Sequence, residues 1–148
     1  MKKRLLAVIL LLLLAVCVFA VSAAAEEPAL PSTCEHCKTE VTWIALDEAK
    51  LAEISAMSTP TLTTGHYYLA FEGESCDVAA MTLSANKNVC IYMNGKTLNG
   101  TTRAFIVREA TLNIMGEGTL LGHGTSTTTY GGTIYGAAGS EINVYRGI

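Results

Sequence analysis

The sequence predicts an all-β chain wound as a parallel β-helix of few coils, with one short capping helix near its amino-terminal end. Three observations predict it. From Thr61 onward, apolar and β-branched triplets alternate with Asn-Gly, Gly-Glu-Gly and Gly-Gly turns, and the triplets are too short for helices. The triplets recur in a fixed order. Only the stretch after Asp47 carries a helix start.

The recurrence sets the architecture. Ile91-Tyr92-Met93 is echoed by Leu112-Asn113-Ile114 at an offset of 21, and Thr97-Leu98-Asn99-Gly100 by Thr119-Leu120-Leu121-Gly122 at 22. Ala104-Phe105-Ile106-Val107 returns near Thr133-Ile134-Tyr135 at about 29, and Leu112-Asn113-Ile114 returns as Ile142-Asn143-Val144 at 30. Three strand types thus repeat in order over 91–94, 97–99 and 104–107, then 112–115, 119–121 and 133–135, then 142–145. Repeats of this length stack because one unit cannot bury its own apolar face. Alternation directs Ile91 and Met93 inward, stacked on Leu112 and Ile114 and then on Ile142 and Val144. Tyr92, Asn113 and Asn143 point out. An antiparallel sandwich or meander uses the same short strands, but it does not require three strand types in repeating order. The polar insert from Thr125 to Tyr130 reads as an exposed turn between coils.

The elements upstream follow from local chemistry. Met1-Lys2-Lys3-Arg4, the sixteen uncharged residues Leu5 to Ala20, and Val21-Ser22-Ala23-Ala24-Ala25 form the three parts of a secretory signal peptide. The apolar run is shorter than the ~20 residues of a membrane span. A lipidated Cys17 would want a small residue where Val16 stands, so Cys17 reads as one more apolar residue of that run. The domains are therefore a signal peptide over 1–25, a lead-in over 26–60 and an incomplete parallel β-helix over 61–148. Within the lead-in, Val41 to Leu46 is strand-like. Asp47 caps a helix over about 48–57, Leu46 and Leu51 have the spacing of a hydrophobic staple, and Leu51 and Ile54 share an apolar face.

Removing residues 1–25 takes Lys+Arg from 10 to 7 and leaves Asp+Glu at 13, a net charge of −6. No basic patch remains, which argues against a nucleic-acid partner. The expected location is secreted or cell-surface, with no mature membrane span.

Cys34-Glu35-His36-Cys37 is the one chemical motif. In an exported chain a disulfide involving Cys34 or Cys37 is the first reading. The second is zinc held by the two thiolates, which needs two further ligands, and the third leaves them as free thiols. His36, His66, Cys76, Cys90 and His123 are available, none at a recognisable zinc spacing. Cys90 reads as a small core residue or as the partner of Cys76. No serine-histidine-aspartate elbow, phosphate loop or carboxylate pair of definable separation is present, so no catalytic residue is assigned.

Thr61 to Leu69, Val89 to Leu98 and Leu112 to Leu120 resemble the opening coils of right-handed β-helix proteins of the pectate-lyase-like superfamily. Cys34 to Cys37 and Val41-Thr42-Trp43 are similar to the beginning of large secreted or surface proteins of the gut Firmicutes type. The resemblance spans about 34–148 and rests on fold motifs. It implies a right-handed parallel β-helix in which catalysis, where present, lies on middle coils. The expectation is an exported non-catalytic module, adhesin-like, contacting a polysaccharide or a surface protein through rows of Tyr, Asn and Thr. Tyr92, Tyr130, Tyr135 and Tyr145 are the aromatic candidates for stacking on sugars. The alternative is the amino-terminal portion of a polysaccharide lyase or glycoside hydrolase. The chain reads as a piece of a longer protein, with self-association expected through an open carboxy-terminal edge.

Overall fold

The computed structural model describes residues 29–124 and 132–145. The segment expected to be a signal peptide, with Cys17, and the insert from Thr125 to Tyr130 expected to be a turn, lie outside them.

The first element is strand β1 (Ile44–Leu46), followed by helix α1 (Glu48–Ser55). Asp47 caps the helix: its backbone is extended and Oδ1 accepts from Lys50 N at 2.8 Å. Leu51 and Ile54 are its buried residues and share the core cluster with Leu46, so the expected apolar face and the two staple positions are all inside. The helix packs against β1 and β3 and is two residues shorter than expected. Ala56 closes the last turn, ahead of the Thr59-Pro60 pair that disfavours helix.

Ten further strands follow: β2 (Gly65–Leu69), β3 (Ser75–Val78), β4 (Met81–Ser84), β5 (Asn88–Tyr92), β6 (Thr97–Gly100), β7 (Phe105–Arg108), β8 (Thr111–Met115), β9 (Thr119–Gly122), β10 (Ile134–Gly136) and β11 (Glu141–Val144). They form three sheets in the orders β1-β2-β5-β8-β11, β3-β6-β9 and β4-β7-β10. Every pairing between these strands is parallel, so the antiparallel sandwich is excluded. From β2 onward the chain visits the first, second and third sheets in turn, three times, before β11 returns to the first.

All seven expected strands are present, and Leu98↔Leu120, Phe105↔Ile134 and Leu112↔Ile142 pair at the expected offsets. One register differs. Ile91 pairs with Ile114 rather than Leu112, and Val89 takes Leu112. The reason is geometric. A slip of one residue turns every side chain to the other face, but a slip of two preserves the inward set. Val89, Ile91 and Met93 are all buried, so alternation alone does not choose between the two registers. Two inward columns of the first sheet are therefore Gly65–Val89–Leu112–Ile142 and Ile44–Tyr67–Ile91–Ile114–Val144, beside the buried pair Leu46–Leu69. Both ends of the second column are open, with Ile44 45% and Val144 71% exposed.

Turns between sheets carry their own requirements. Asn94 (φ 54°) and Gly95 (φ 71°) are both left-handed and bend the chain from β5 into β6, as Asn-Gly pairs favour. At Gly100 an added Cβ would lie 2.2 Å from the Arg103 carbonyl carbon, so the return of the backbone there admits only glycine. Among the described residues no helix is long and apolar enough to cross a membrane.

Candidate metal centre

The lead-in does not hang free. Residues 31–43 form a strap across the outer face of the first sheet. Its hairpin is held by a Thr33–Glu40 antiparallel bridge and by hydrogen bonds from Cys34 N to Thr39 O (3.0 Å) and Val41 N to Ser32 O (3.1 Å). Trp43 Nε1 donates to Pro31 O at 2.6 Å, and the indole meets the His66 ring edge-on with centroids 5.8 Å apart. Beneath the strap lies a second apolar cluster, separate from the core, in which Cys34, Cys90 and Met115 are buried and Cys37, Val41, Trp43, Tyr92 and Tyr145 pack around them.

Cys34 to Cys37 is a tight turn: Lys38 N donates to Cys34 O at 2.8 Å, and Lys38 closes it with φ 58°. That left-handed backbone is strained for a side chain of this size, at a cost of about 1 kcal/mol. The turn places two sulfurs on one side. The sheet supplies the other pair. His66 on β2 and Cys90 on β5 are register partners, and neighbouring strands lie about 4.8 Å apart. Their ligating atoms and those of Cys34 and Cys37 all lie within 4.8 Å of one another. Cys34 Sγ is 3.6 Å from Cys90 Sγ, and Cys37 Sγ is 3.2 Å from His66 Nε2. A tetrahedral zinc site with ordinary bond lengths has sulfurs about 3.8 Å apart and sulfur–nitrogen separations of about 3.5 Å. The Cys34–Cys90 and Cys37–His66 separations are therefore within a few tenths of an ångström of what such an ion needs, and all three thiols and the imidazole converge on one point.

The surroundings suit the role. Cys37 N–H points at Cys34 Sγ at 3.5 Å. Asn113, fully buried, donates from Nδ2 to Asn88 Oδ1 at 2.9 Å and lies 3.5 Å from Cys90 Sγ, while its Oδ1 accepts from Asn143 at 2.9 Å. These N–H groups favour a sulfur that carries negative charge. Burial raises the Cys37 and Cys90 thiols above their usual pKa, and hydrogen bonding to Cys34 adds to it. Burial, with the nearby His36, lowers His66, which keeps the imidazole neutral and able to bind a metal.

Of the candidate ligands, the structure brings together Cys34, Cys37, His66 and Cys90. It leaves out His36, whose Nδ1 meets Tyr145 Oη at 2.9 Å, and His123, which meets Asn99 Oδ1 at 2.8 Å. Cys76 packs against the core from the second sheet, whereas Cys90 lies on the outer face of the first, so the two are not partners. All four described cysteines are free thiols. His66 and Cys90 were detectable in sequence: Gly65-His66-Tyr67-Tyr68 repeats as Val89-Cys90-Ile91-Tyr92 at an offset of 24, one repeat earlier than the recurrence described above.

The tyrosines expected to form an exposed stacking row are engaged within the chain. Tyr92 packs against Trp43, Tyr145 against His36, and Tyr135 under Arg103, while Tyr130 lies outside the described residues. Between the strap and the β5 and β8 turns runs an open cleft of about 750 Å3, bordered by Lys38, Tyr92, Asn94 and Glu117. No protein-family model, curated protein or solved structure matches the chain.

Proposed function

We propose that this chain is an exported, non-catalytic right-handed parallel β-helix module whose lead-in strap is fastened to the first coils by a structural zinc ion. The observation that carries the proposal is the convergence of Cys34, Cys37, His66 and Cys90. Two donors come from one turn and two from register-paired positions on adjacent strands. A fourfold protein donor set leaves no open position, which is the pattern of structural rather than catalytic zinc. The cyclic order of three parallel sheets supports the β-helix, and α1 over the first strands supports its capping role. The cleft beside the strap is where a glycan or a protein segment would make contact, through the Tyr92 edge and the Lys38 and Glu117 side chains that border it.

Metal analysis of the reduced chain tests this. The expected result is one zinc per chain and a fall in melting temperature on chelation, because an ion bound to the native state alone stabilises it by mass action. A reduced, folded chain that takes up no zinc would overturn the proposal.

A further inference from the structure

Three of the four donors are thiols, and their accessibilities differ. Cys34 and Cys90 are 0% and 1% exposed, whereas Cys37 is only partly buried. The two buried sulfurs are 3.6 Å apart although 56 residues separate them in the chain. Cys34 belongs to the strap and Cys90 to β5. Two disulfides at this site would therefore have opposite mechanical meanings. A Cys34–Cys37 bond ties the turn to itself and gives the strap no covalent link to the sheet. A Cys34–Cys90 bond joins strap to sheet where the metal would.

We propose that the site is a metal–disulfide exchange clamp: when the metal is withdrawn in an oxidising medium, Cys34 and Cys90 form a disulfide and the strap stays fastened. This rests on the zinc reading for the reduced state. The oxidant is a small-molecule disulfide. The accessible Cys37 thiolate attacks one of its sulfurs, giving a mixed disulfide and releasing one thiolate. Cys34 then attacks Cys37 Sγ, forming Cys34–Cys37 and releasing the second. Cys90 attacks Cys34 Sγ, forming Cys34–Cys90, and Cys37 leaves as a thiolate that takes a proton from water. Two protein thiolates have lost two electrons, and one external disulfide has become two thiolates. The fold favours the last exchange because it already holds these sulfurs in contact across a long loop, and an unfolded chain would not.

The test compares the purified reduced chain with and without zinc, each exposed to oxidised glutathione, then thiol-blocked, denatured and digested with trypsin without reduction. Cleavage after Lys38, Lys87 and Lys96 separates the peptide bearing Cys34 and Cys37 from the peptide Asn88–Lys96 bearing Cys90. The expected product in the zinc-free sample is a disulfide between these two peptides, with fragmentation between Glu35 and His36 locating it at Cys34. Zinc should suppress it, and Cys34→Ser should abolish it. An intrapeptide Cys34–Cys37 bond, or glutathione adducts alone, would overturn the proposal. Zinc uptake by the reduced chain is read separately. Cross-linking without zinc binding would remove the metal reading and the exchange with it, but zinc binding without this cross-link removes only the exchange.

Discussion

His66 and Cys90 face each other across β2 and β5 as register partners, and both side chains stand on the outer face of the first sheet. A parallel ladder thus presents two donors at strand spacing, and the Cys34–Cys37 turn meets them from above.

Replacing either sheet donor should break the site without touching the core. Structural zinc sites bind with about 10–16 kcal/mol shared over four donors, so Cys90→Ala or His66→Ala should weaken zinc binding by roughly two orders of magnitude or more. Competition against a chromophoric chelator measures it. An unchanged affinity in both variants would mean that the ion is held elsewhere.

Asn113 should matter through Cys90. Its amide bridges Asn88 and Asn143 and reaches the Cys90 sulfur from a fully buried position. Asn113→Leu leaves buried polar neighbours without a partner, a loss of about 1–3 kcal/mol, and should weaken metal binding about 10–100-fold. Urea unfolding and metal competition on the same variant separate the two effects.

Protons should compete with the metal. Burial raises the pKa of the Cys37 and Cys90 thiols, and each must lose its proton to bind. These two thiols alone make about two protons released per ion, so apparent affinity should climb by roughly a hundredfold or more per pH unit between about pH 6 and 8. The sign follows directly: lower pH favours the protonated thiols and expels the ion. Proton release on zinc addition in weak buffer gives the stoichiometry.

The two-residue register makes a mutational prediction. Val89 and Leu112 are paired, as are Ile91 and Ile114. Leu112→Ala should cost about 2–5 kcal/mol, and in double-mutant cycles Leu112 should couple more strongly to Val89 than to Ile91. Leu112→Asp should abolish soluble expression, since an unpaired charge would be buried.

The edge at β11 should associate. Among the described residues β11 pairs only with β8, and Ile142 and Val144 are 38% and 71% exposed beside its free backbone groups. Such edges recruit further strands. Sedimentation should show concentration-dependent self-association that Val144→Lys reduces. A monodisperse Val144 parent chain at high concentration would count against it.

Much of this was legible in the sequence, and what was missed has identifiable causes. The helix was readable because Asp47, Leu46, Leu51 and Ile54 each carry a local signal. The parallel strand order was readable because the strand types recur. The register of β5 on β8 was not, because Val89 and Ile91 are equally apolar. The site was half legible: Cys34 and Cys37 announce themselves by spacing, whereas His66 and Cys90 become neighbours only through the parallel pairing of strands 24 residues apart. Nor does outward pointing mean solvent exposure. Asn113 points away from the core yet is 0% exposed, its amide bonded among Asn88, Cys90 and Asn143.

The strap reaches most of the first sheet at once. Cys37 touches His66 on β2, Cys34 touches Cys90 on β5 and packs with Met115 on β8, and His36 meets Tyr145 just past β11. Strands of a stacked sheet can be peeled away one at a time, each pull acting on a single ladder. A pull on the strap is instead shared across several ladders and falls first on the cysteine–histidine cluster, loaded sideways. The resistance of this face to force should therefore be set by the four donors rather than by the strength of any one strand pairing.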